Sequence, residues 1–262
     1  MEFSSGGTRL HVGAATHVGK VRENNEDGFL VRGNLLAVAD GMGGHSAGEI
    51  ASGTALAVLK DYPFSPHALG LDDAGGAAGS APGQELLAAV KLAHETLLAM
   101  SRSDPALAGM GTTLTAALVQ PDTIHVAHVG DSRLYLVRDG RIHVVTQDHS
   151  VVAELVRAGQ IDEETARRHP LRHVVTRALG AAMDAELPID LLTLERRPGD
   201  GLLLCTDGLN ALVSDEEIME ILHEEPDAQK AADALIALAL ERGGIDNVTV
   251  VLALPEVAGV TP

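Results

Sequence analysis

Runs of apolar residues divide the first part of the chain into strand-like and helix-like segments. Residues 35–40 form an apolar run typical of a strand buried on both faces, and the run ends at a glycine cluster. Beyond it, Ile50, Leu56 and Leu59 recur at helical spacing among Ala and Glu. The pattern predicts strands at 10–16, 28–32 and 35–40, helices at 48–60 and 84–103, and a surface loop rich in Pro, Gly, Ala and Ser at 62–83.

The remainder of the chain predicts a meander of strands, then helices mixed with strands. Asp139-Gly140 lies between two β-rich runs and is a hairpin signal, and Ser214 with Glu217 forms a capping box. The predicted strands are 112–119, 123–129, 133–137, 141–146, 189–194, 201–206 and 247–254; the predicted helices are 218–223 and 227–242, with short mixed helices at 148–180. Strands that pair with their neighbours, with helices grouped between them, indicate an α+β fold of layers around antiparallel sheets.

Composition narrows the class of protein. The 262 residues are 45% hydrophobic with no Trp, which suits one large domain or two small ones with a core of Ala, Val and Leu. A single cysteine can form neither an internal disulfide nor a Cys-based zinc site, so we expect a cytoplasmic protein. No apolar run approaches the roughly 20 residues of a membrane span, and the first residues lack the features of a signal peptide.

The charge balance limits which partners the protein can bind. There are 37 acidic and 19 basic residues, a formal net charge of −18. Because phosphate backbones are bound by clustered Lys and Arg, this balance argues against a nucleic-acid partner. The same balance permits divalent cations.

Acidic residues recur next to glycine where predicted strands end or begin. An Asp at a strand end is commonly only turn chemistry, but several together at one end of packed sheets would repel each other unless they were protonated or bridged by metal. Hard oxygen ligands favour Mg²⁺ or Mn²⁺ over Zn²⁺. The residues concerned are Asp40 with Gly41, Asp131, Asp207, Asp246, and Asp27 within Asn25-Glu-Asp-Gly28. Arg22, close before Glu26 and Asp27, is either an ion-pair partner or a bidentate ligand for phosphate.

With these residues in place, the sequence resembles the metal-dependent protein phosphatase family of type 2C, in particular its compact bacterial members. Each block alone is weak, but their order and spacing cover nearly the whole chain. The blocks are Arg22-Glu-Asn-Asn-Glu-Asp27, Val38-Ala-Asp-Gly-Met-Gly-Gly44, Gly111-Thr-Thr113, Val129-Gly-Asp-Ser-Arg133, Thr176-Arg-Ala-Leu-Gly180, Thr206-Asp-Gly208 and Asp246-Asn-Val-Thr249. The resemblance implies one catalytic domain over 1–262, a four-layer αββα sandwich with two antiparallel sheets, and a flap at 148–180 beside the metal cleft.

The resemblance also implies a role for each matched residue. Asp40 would bridge two Mn²⁺ or Mg²⁺ ions, the Gly41 carbonyl would bind one ion, and Asp207 with Asp246 would bind the other. Asp27 would hold metal-bound waters, and Glu26 falls where only some relatives have a ligand. A third ion would be held by Asp131 and Asp207, and Asn247 would shape the turn after Asp246.

A mechanism follows for such a centre. Two ions, nominally 4+, about offset four carboxylates and lower the pKa of a bridging water, giving a hydroxide for in-line attack on phosphorus. Arg22 would hold the phosphate oxygens. The resemblance implies phosphoserine and phosphothreonine proteins as substrates and a Ser/Thr protein kinase with its targets as partners, and we expect a monomer.

Three features leave alternatives open. Many eukaryotic relatives place a His after the bridging Asp-Gly, whereas this chain has Met42, which cannot donate a proton; metal-bound water is then the first candidate for the general acid, ahead of His45. The Arg and His residues of 148–180 either engage a phosphopeptide or balance their own acids, and a metal pair of His169 and His173 is a weak reading.

The sequence leaves two rival functions open. Residues 44–48 fit the nucleophile elbow of serine hydrolases, with Ser46 as nucleophile, but Ser46 lies too far beyond the strand for an elbow. The second rival is a phosphatase-like module that binds phosphoproteins without turnover, although every matched Asp is present.

Overall fold

The computed structural model describes residues 2–5, 8–43, 47–70, 81–181 and 186–256. The strands are β1 (Glu2–Ser5), β2 (Thr8–His17), β3 (Asp27–Arg32), β4 (Leu35–Met42), β5 (Gly111–Thr112), β6 (Leu114–Val119), β7 (Thr123–Val129), β8 (Arg133–Arg138), β9 (Arg141–Val144), β10 (Asp190–Glu195), β11 (Gly201–Cys205) and β12 (Val248–Pro255). They form two sheets, with the orders β1-β2-β12-β11-β8-β9 and β10-β7-β6-β4-β3; β5 pairs with the end of β4. Neighbouring strands in both sheets are antiparallel, as expected.

Helices cover the outer face of each sheet. They are α1 (Ala47–Asp61), α2 (Pro82–Ser103), α3 (Val151–Arg157), α4 (Glu163–Arg168), α5 (Asp207–Asn210), α6 (Asp215–Glu224) and α7 (Ala228–Glu241), with a 3₁₀ turn at Pro105–Leu107. Helices α1 and α2 share an apolar core with the second sheet, and α6 and α7 share one with the first sheet. A third apolar cluster lies between the two sheets. The predicted four-layer αββα arrangement is therefore confirmed.

Side-chain alternation along the strands builds these three cores. In β4, Leu35 and Ala37 face α1 and α2, while Leu36 and Val38 face the other sheet. Because successive side chains of a strand point to opposite faces, a strand between two cores must be apolar throughout. The continuous apolar run at 35–40 has this physical cause.

Local signals set several boundaries as predicted. The Asp139-Gly140 hairpin has both residues at positive φ, 53° and 70°, as its two-residue turn requires. The capping box of Ser214 and Glu217 is present at the start of α6. The Asp227 side chain caps α7 by accepting a hydrogen bond from the Lys230 N–H.

The predicted surface loop 62–83 is wrong over its first part. Phe64 and Ala68 are buried against the core of the second sheet. The side-chain amides of Asn34 and Gln120 donate to the Ala68 carbonyl at 2.9 and 2.6 Å, so the segment is anchored in the core at Phe64 and Ala68, while its other residues are exposed or half-buried. Residues 71–80 lie outside the described residues, and α2 begins at 82, two residues earlier than predicted.

The segment 148–180 forms the short helices α3 and α4 between β9 and β10, as predicted. Ser150 and Asp162 cap the two helices. Helix α3 buries none of its residues, whereas both ends of the segment are anchored. The His149 carbonyl accepts a hydrogen bond from the Thr176 N–H at 2.7 Å, and the His149 N–H donates to the Gly130 carbonyl at 2.8 Å. We call residues 148–180 the flap.

Candidate metal and phosphate site

The topology brings the predicted carboxylates to one end of the two sheets. Asp27 begins β3 directly opposite Asp40, near the end of β4. Asp131 follows β7, Asp207 follows β11, and Asp246 precedes β12. Since neighbouring strands are antiparallel, the end of one strand meets the start of the next at the same edge. Strand ends that are far apart in sequence therefore form one cluster.

Threonines fix the backbone and the side chains of this cluster. The Asp40 N–H donates to Thr113 Oγ1 at 2.9 Å, and Thr112 Oγ1 donates to the Asp40 carbonyl at 2.9 Å. Thr206 Oγ1 donates to Asp27 Oδ2 at 2.7 Å. These contacts hold Asp27 and Asp40 face to face across the β3–β4 pair.

Close packing at Gly41 excludes any side chain there. A Cβ at this position would overlap with the carbonyl oxygens of Gly48 and Glu26. The Gly41 N–H donates to the Glu26 carbonyl at 3.1 Å. The start of α1 can therefore approach β4 beside Asp40 only because residue 41 is glycine.

Asn247 joins the loop between β2 and β3 to the turn that carries Asp246. Its amide nitrogen donates to the carbonyls of Val18 and Asn24, each at 2.9 Å, and its amide oxygen accepts from the Glu26 N–H at 2.8 Å. The Asn247 N–H donates to Asp246 Oδ1 at 2.8 Å. The role expected for Asn247 in shaping this turn is thereby visible in its contacts.

The carboxylates of the cluster raise one another's pKa. Asp27, Asp40 and Asp207 are half-buried and Asp131 is buried. Burial raises the pKa of Asp27 to about 7, and the charges of Asp207 and Asp246 add to the shift. Burial and neighbouring carboxylates also raise the pKa of Asp40, Asp131 and Asp207. Such a cluster is strained electrostatically without a cation.

Arg22 lies at the mouth of the cluster. Its Nη2 donates to Asp246 Oδ2 at 2.8 Å, and this hydrogen bond raises the pKa of the guanidinium. The Asp246 carboxylate is therefore engaged on both oxygens, by Arg22 and by the Asn247 N–H. The Glu26 carboxylate lies against Gly48 in the first turn of α1. Burial raises its pKa, and the charge of Arg22 and the Gly48 N–H oppose that rise.

The donor set fits hard divalent cations. Asp27 Oδ1 is buried and has no hydrogen-bond partner, and an orphaned carboxylate oxygen inside a cluster of carboxylates is the chemistry that Mg²⁺ or Mn²⁺ satisfies. Within the described part of the chain, no three His, Cys, Asp or Glu side chains are arranged to hold one ion. Asp246, which belongs to the expected ligand set, is instead paired with Arg22.

Asp131 and Asp207 also open onto a cleft beneath the flap. This cleft has a volume of about 810 Å³ and lies between the flap and helices α5 and α6. His173 of the flap lines it, close enough to Asp207 for its charge to lower the pKa of that carboxylate. The arrangement places flap residues beside the carboxylate cluster.

The motifs do not indicate the roles of several residues at the site. Thr206, Thr112 and Thr113 lie within blocks that carry the resemblance, yet only the structure shows that they hold Asp27 and Asp40. The sequence offers His173 only as half of a possible metal pair with His169, and its place beside Asp207 follows from the structure. His45 and Ser46 lie outside the described residues.

A comparison with protein families identifies the class. The family model for protein phosphatase 2C matches residues 19–238. The chain therefore belongs to the protein phosphatase 2C family, and the resemblance found in the sequence is confirmed. Among the described residues, no helix is long and apolar enough to cross a membrane.

Individual relatives carry the comparison further. Serine/threonine protein phosphatase PstP of Mycobacterium tuberculosis is 44% identical over 93% of this chain, which spans about half of the relative's length (45%). Serine/threonine phosphatase stp of Listeria monocytogenes is 36% identical over 93% of this chain and 95% of the relative. The solved catalytic domain of PstP in complex with 2 manganese ions is 41% identical, with a TM-score of 0.81 over 94% of this chain and 98% of that chain.

Proposed function

We propose that this chain is a metal-dependent protein serine/threonine phosphatase that hydrolyses phosphoserine and phosphothreonine. The convergence of Asp27, Asp40, Asp207 and Asp246 beside Arg22 carries the proposal. A cluster of carboxylates and one guanidinium matches the two halves of phosphate hydrolysis, cation binding and phosphate binding.

The residues that would hold the cations follow from their placement. Asp40 would bridge two Mn²⁺ or Mg²⁺ ions, with the Gly41 carbonyl on one ion and Asp207 with Asp246 on the other. Asp27 would hold the water shell, and Asp131 with Asp207 would hold a third ion. Bound ions of this kind lower the pKa of water and hold it for attack on phosphorus. Glu26 as a ligand stays a prediction, and its contact with Gly48 favours a role at the start of α1.

Arg22 has two partners in this proposal. In the structure it pairs with Asp246 at 2.8 Å. With Asp246 on a cation, the guanidinium of Arg22 would be free to bind two non-bridging phosphate oxygens through its planar fork. Its side chain is 52% exposed, so it can change partner without repacking the core.

The proton for the leaving group must come from a group other than Met42. The thioether at that position has no proton to donate.

Thr206, which donates to Asp27 Oδ2, orients the carboxylate that would hold water at the site. We assign Asp27 to water positioning and Arg22 to phosphate binding.

The wider setting is part of the same proposal. The chain would act as one catalytic domain on phosphorylated proteins, as a monomer in the cytoplasm, and would reverse the action of a Ser/Thr protein kinase. The names of the relatives support the phosphoprotein substrates. The net charge of −18 supports the absence of a nucleic-acid partner.

The test is hydrolysis of a small aryl phosphate by purified protein, with Mn²⁺ and with excess chelator. Activity is expected with Mn²⁺ and not with chelator, and Asp207→Asn should abolish it. The matched control is Asp233→Asn, at an exposed Asp of α7, which should keep wild-type activity. Lack of metal-dependent hydrolysis by folded protein, with phosphopeptide binding retained, would favour the binding module instead. Metal-independent esterase activity lost in Ser46→Ala would favour the serine hydrolase.

A further inference from the structure

The cleft beneath the flap extends beyond the carboxylate cluster and has apolar walls. Its volume of about 810 Å³ lies within the range of sites that bind ligands. Val152 and Val156 of α3 face it from the flap, and Leu212 with Val213 line it from the opposite side. The flap helix α3 therefore presents apolar side chains to a space that the other described residues do not fill.

Two of the arginines that line this cleft have carboxylate partners. Arg133 makes a bidentate pair with Asp148, at 2.9 and 2.7 Å. Arg242 is paired with Glu217 at the start of α6. These two guanidiniums are held by the protein itself.

Three further arginines of the flap line the cleft without such a partner. Arg157 donates to the backbone carbonyl of Asp148 at 3.0 Å. Arg157, Arg167 and Arg172 are exposed, and within the described residues none of the three forms an ion pair with a carboxylate. By contrast, Arg168 is outside the cleft lining and pairs with Glu164 at 3.3 Å. In a chain with 37 acidic and 19 basic residues, acids to pair with are abundant.

The opposite wall of the cleft has the opposite charge. Asp215 and Glu216 of α6 face the flap across the cleft, and Glu163 lies on the flap wall itself. A polypeptide lying in the cleft would therefore place anionic groups towards the flap and basic groups towards α6. Because Asp131 and Asp207 also line the cleft, such a polypeptide would continue directly into the carboxylate cluster.

We propose that the three flap arginines form a subsite for a second phosphoryl group on the same substrate protein, beside the phosphoresidue that is hydrolysed. The inference rests on the proposed phosphatase function and adds a substrate preference to it. A phosphate dianion matches several guanidinium forks, which bind it through paired, charge-assisted hydrogen bonds. The apolar lining of α3 and of Leu212 then accommodates the intervening peptide.

The test compares peptides that differ only in the second group. Each carries one phosphothreonine for hydrolysis. At each neighbouring position in turn, the set carries alanine, glutamate or a non-hydrolysable phosphonate analogue of phosphoserine. The measured quantity is the ratio of kcat/KM for the phosphonate peptide to kcat/KM for the alanine peptide. We expect a ratio of about 10 at one or more positions, which falls towards 1 in the double variant Arg167→Gln, Arg172→Gln.

The matched control is Arg168→Gln, which removes a neighbouring arginine outside the cleft and should keep the wild-type ratio. A wild-type ratio near 1 at every position overturns the subsite, whether or not the variants fold. So does a double variant that lowers kcat/KM equally for all peptides, because that result shows that the two arginines do not distinguish the second group. An equal gain from glutamate assigns the subsite to carboxylates and overturns the phosphoryl assignment.

Failure of the phosphatase proposal would look different. It would appear as absent hydrolysis of the aryl phosphate in the presence of Mn²⁺. In that case, binding of the same peptides, measured by fluorescence anisotropy, still reports whether the double variant loses the preference for the phosphonate.

Discussion

At the scale of single residues, the hydroxyl of Thr206 joins the fold to the site. It donates to Asp27 Oδ2 at 2.7 Å and accepts from the Thr249 N–H at 2.9 Å. We predict that Thr206→Val raises the Mn²⁺ concentration needed for half-maximal aryl phosphate hydrolysis by about tenfold, because the Asp27 carboxylate loses the donor that orients it. Loss of both hydrogen bonds should also cost about 2 kcal/mol of unfolding free energy.

Thr206→Ser is the control for this prediction. It keeps the hydroxyl and should restore a metal dependence close to that of the wild type. A Thr206→Val protein with unchanged metal dependence would show that the hydroxyl does not orient Asp27. Metal titrations of all three proteins at one pH provide the measurement.

His128 makes the stability of the protein depend on pH. Its ring is buried between Thr115 Oγ1 at 2.9 Å and the Gln147 carbonyl at 3.1 Å. Burial lowers the pKa of His128 from 6.5 to about 4; the neighbouring His149 adds to the shift, and the Gln147 carbonyl, Asp148 and Asp190 oppose it. Between these two pH values the unfolded chain binds the extra proton, so the free energy of unfolding decreases as the pH falls.

We predict that this histidine alone accounts for about 2 kcal/mol of the stability lost between pH 7 and pH 5. His128→Gln should lose correspondingly less over that interval, because Gln cannot take up the proton. Urea unfolding at both pH values measures the difference. His143→Gln, at an exposed position on β9, should lose as much stability as the wild type. A His128→Gln protein that also loses as much would contradict the prediction.

At the scale of elements, Gly13 on β2 sets how closely α7 approaches the first sheet. A Cβ at Gly13 would overlap with the carbonyl oxygen of Ala228, in the first turn of α7. We predict that Gly13→Ala destabilises the protein by about 2 kcal/mol or more, because the helix must move away from the strand. Gly53 on α1 has open space around it, and Gly53→Ala should stabilise the protein by about 1 kcal/mol.

Chemical denaturation of the two variants measures whether Gly13→Ala lowers the free energy of unfolding while Gly53→Ala raises it. Two destabilised variants would show that α1 does not tolerate a methyl group at position 53. A neutral Gly13→Ala would show that α7 packs less tightly on β2 than the structure indicates.

Among the elements, the sequence predicted the turns and helix starts that a few neighbouring residues decide. The Asp139-Gly140 turn and the start of α6 at Ser214 are where the sequence places them, because a turn or a cap is decided by a few neighbouring residues. Strand β4 continues two residues beyond its predicted end at Asp40, because β5 pairs with Gly41 and Met42. Composition predicted a surface loop at 62–83. In the structure, Phe64 and Ala68 of this loop are buried, and the side chain of Asn34, distant in sequence, donates a hydrogen bond to the Ala68 carbonyl.

At the scale of the whole molecule, the carboxylate cluster lowers the stability of the metal-free protein, although the proposed function needs it to bind cations. We predict that Asp40→Asn raises the melting temperature in excess chelator by roughly 2–4 °C, since one of several mutually repelling carboxylates is removed. With Mn²⁺ the order should reverse: the wild type gains stability by binding the cation, and the variant does not. Thermal melts of both proteins under both conditions measure this.

Asp233→Asn is the control, because it removes one charge from the exposed face of α7. It should respond to Mn²⁺ as the wild type does. If Asp40→Asn were less stable than the wild type in chelator, loss of the carboxylate would cost more than the relief of the burial and repulsion that together raise the pKa of Asp40.

The sequence by itself determined most of the strands and helices in their order, but not β1, α5 or the break between β5 and β6. It also determined the acidic surface and the carboxylates at strand ends, since each follows from residues close together in the chain. The family followed from the order of its motifs. Only the tertiary structure decided that Arg22 pairs with Asp246, 224 residues away, and that Asn247 holds Val18 and Asn24. The cleft with its unpaired flap arginines is likewise tertiary. Such contacts depend on how separate segments pack, and no local periodicity encodes the distance between them.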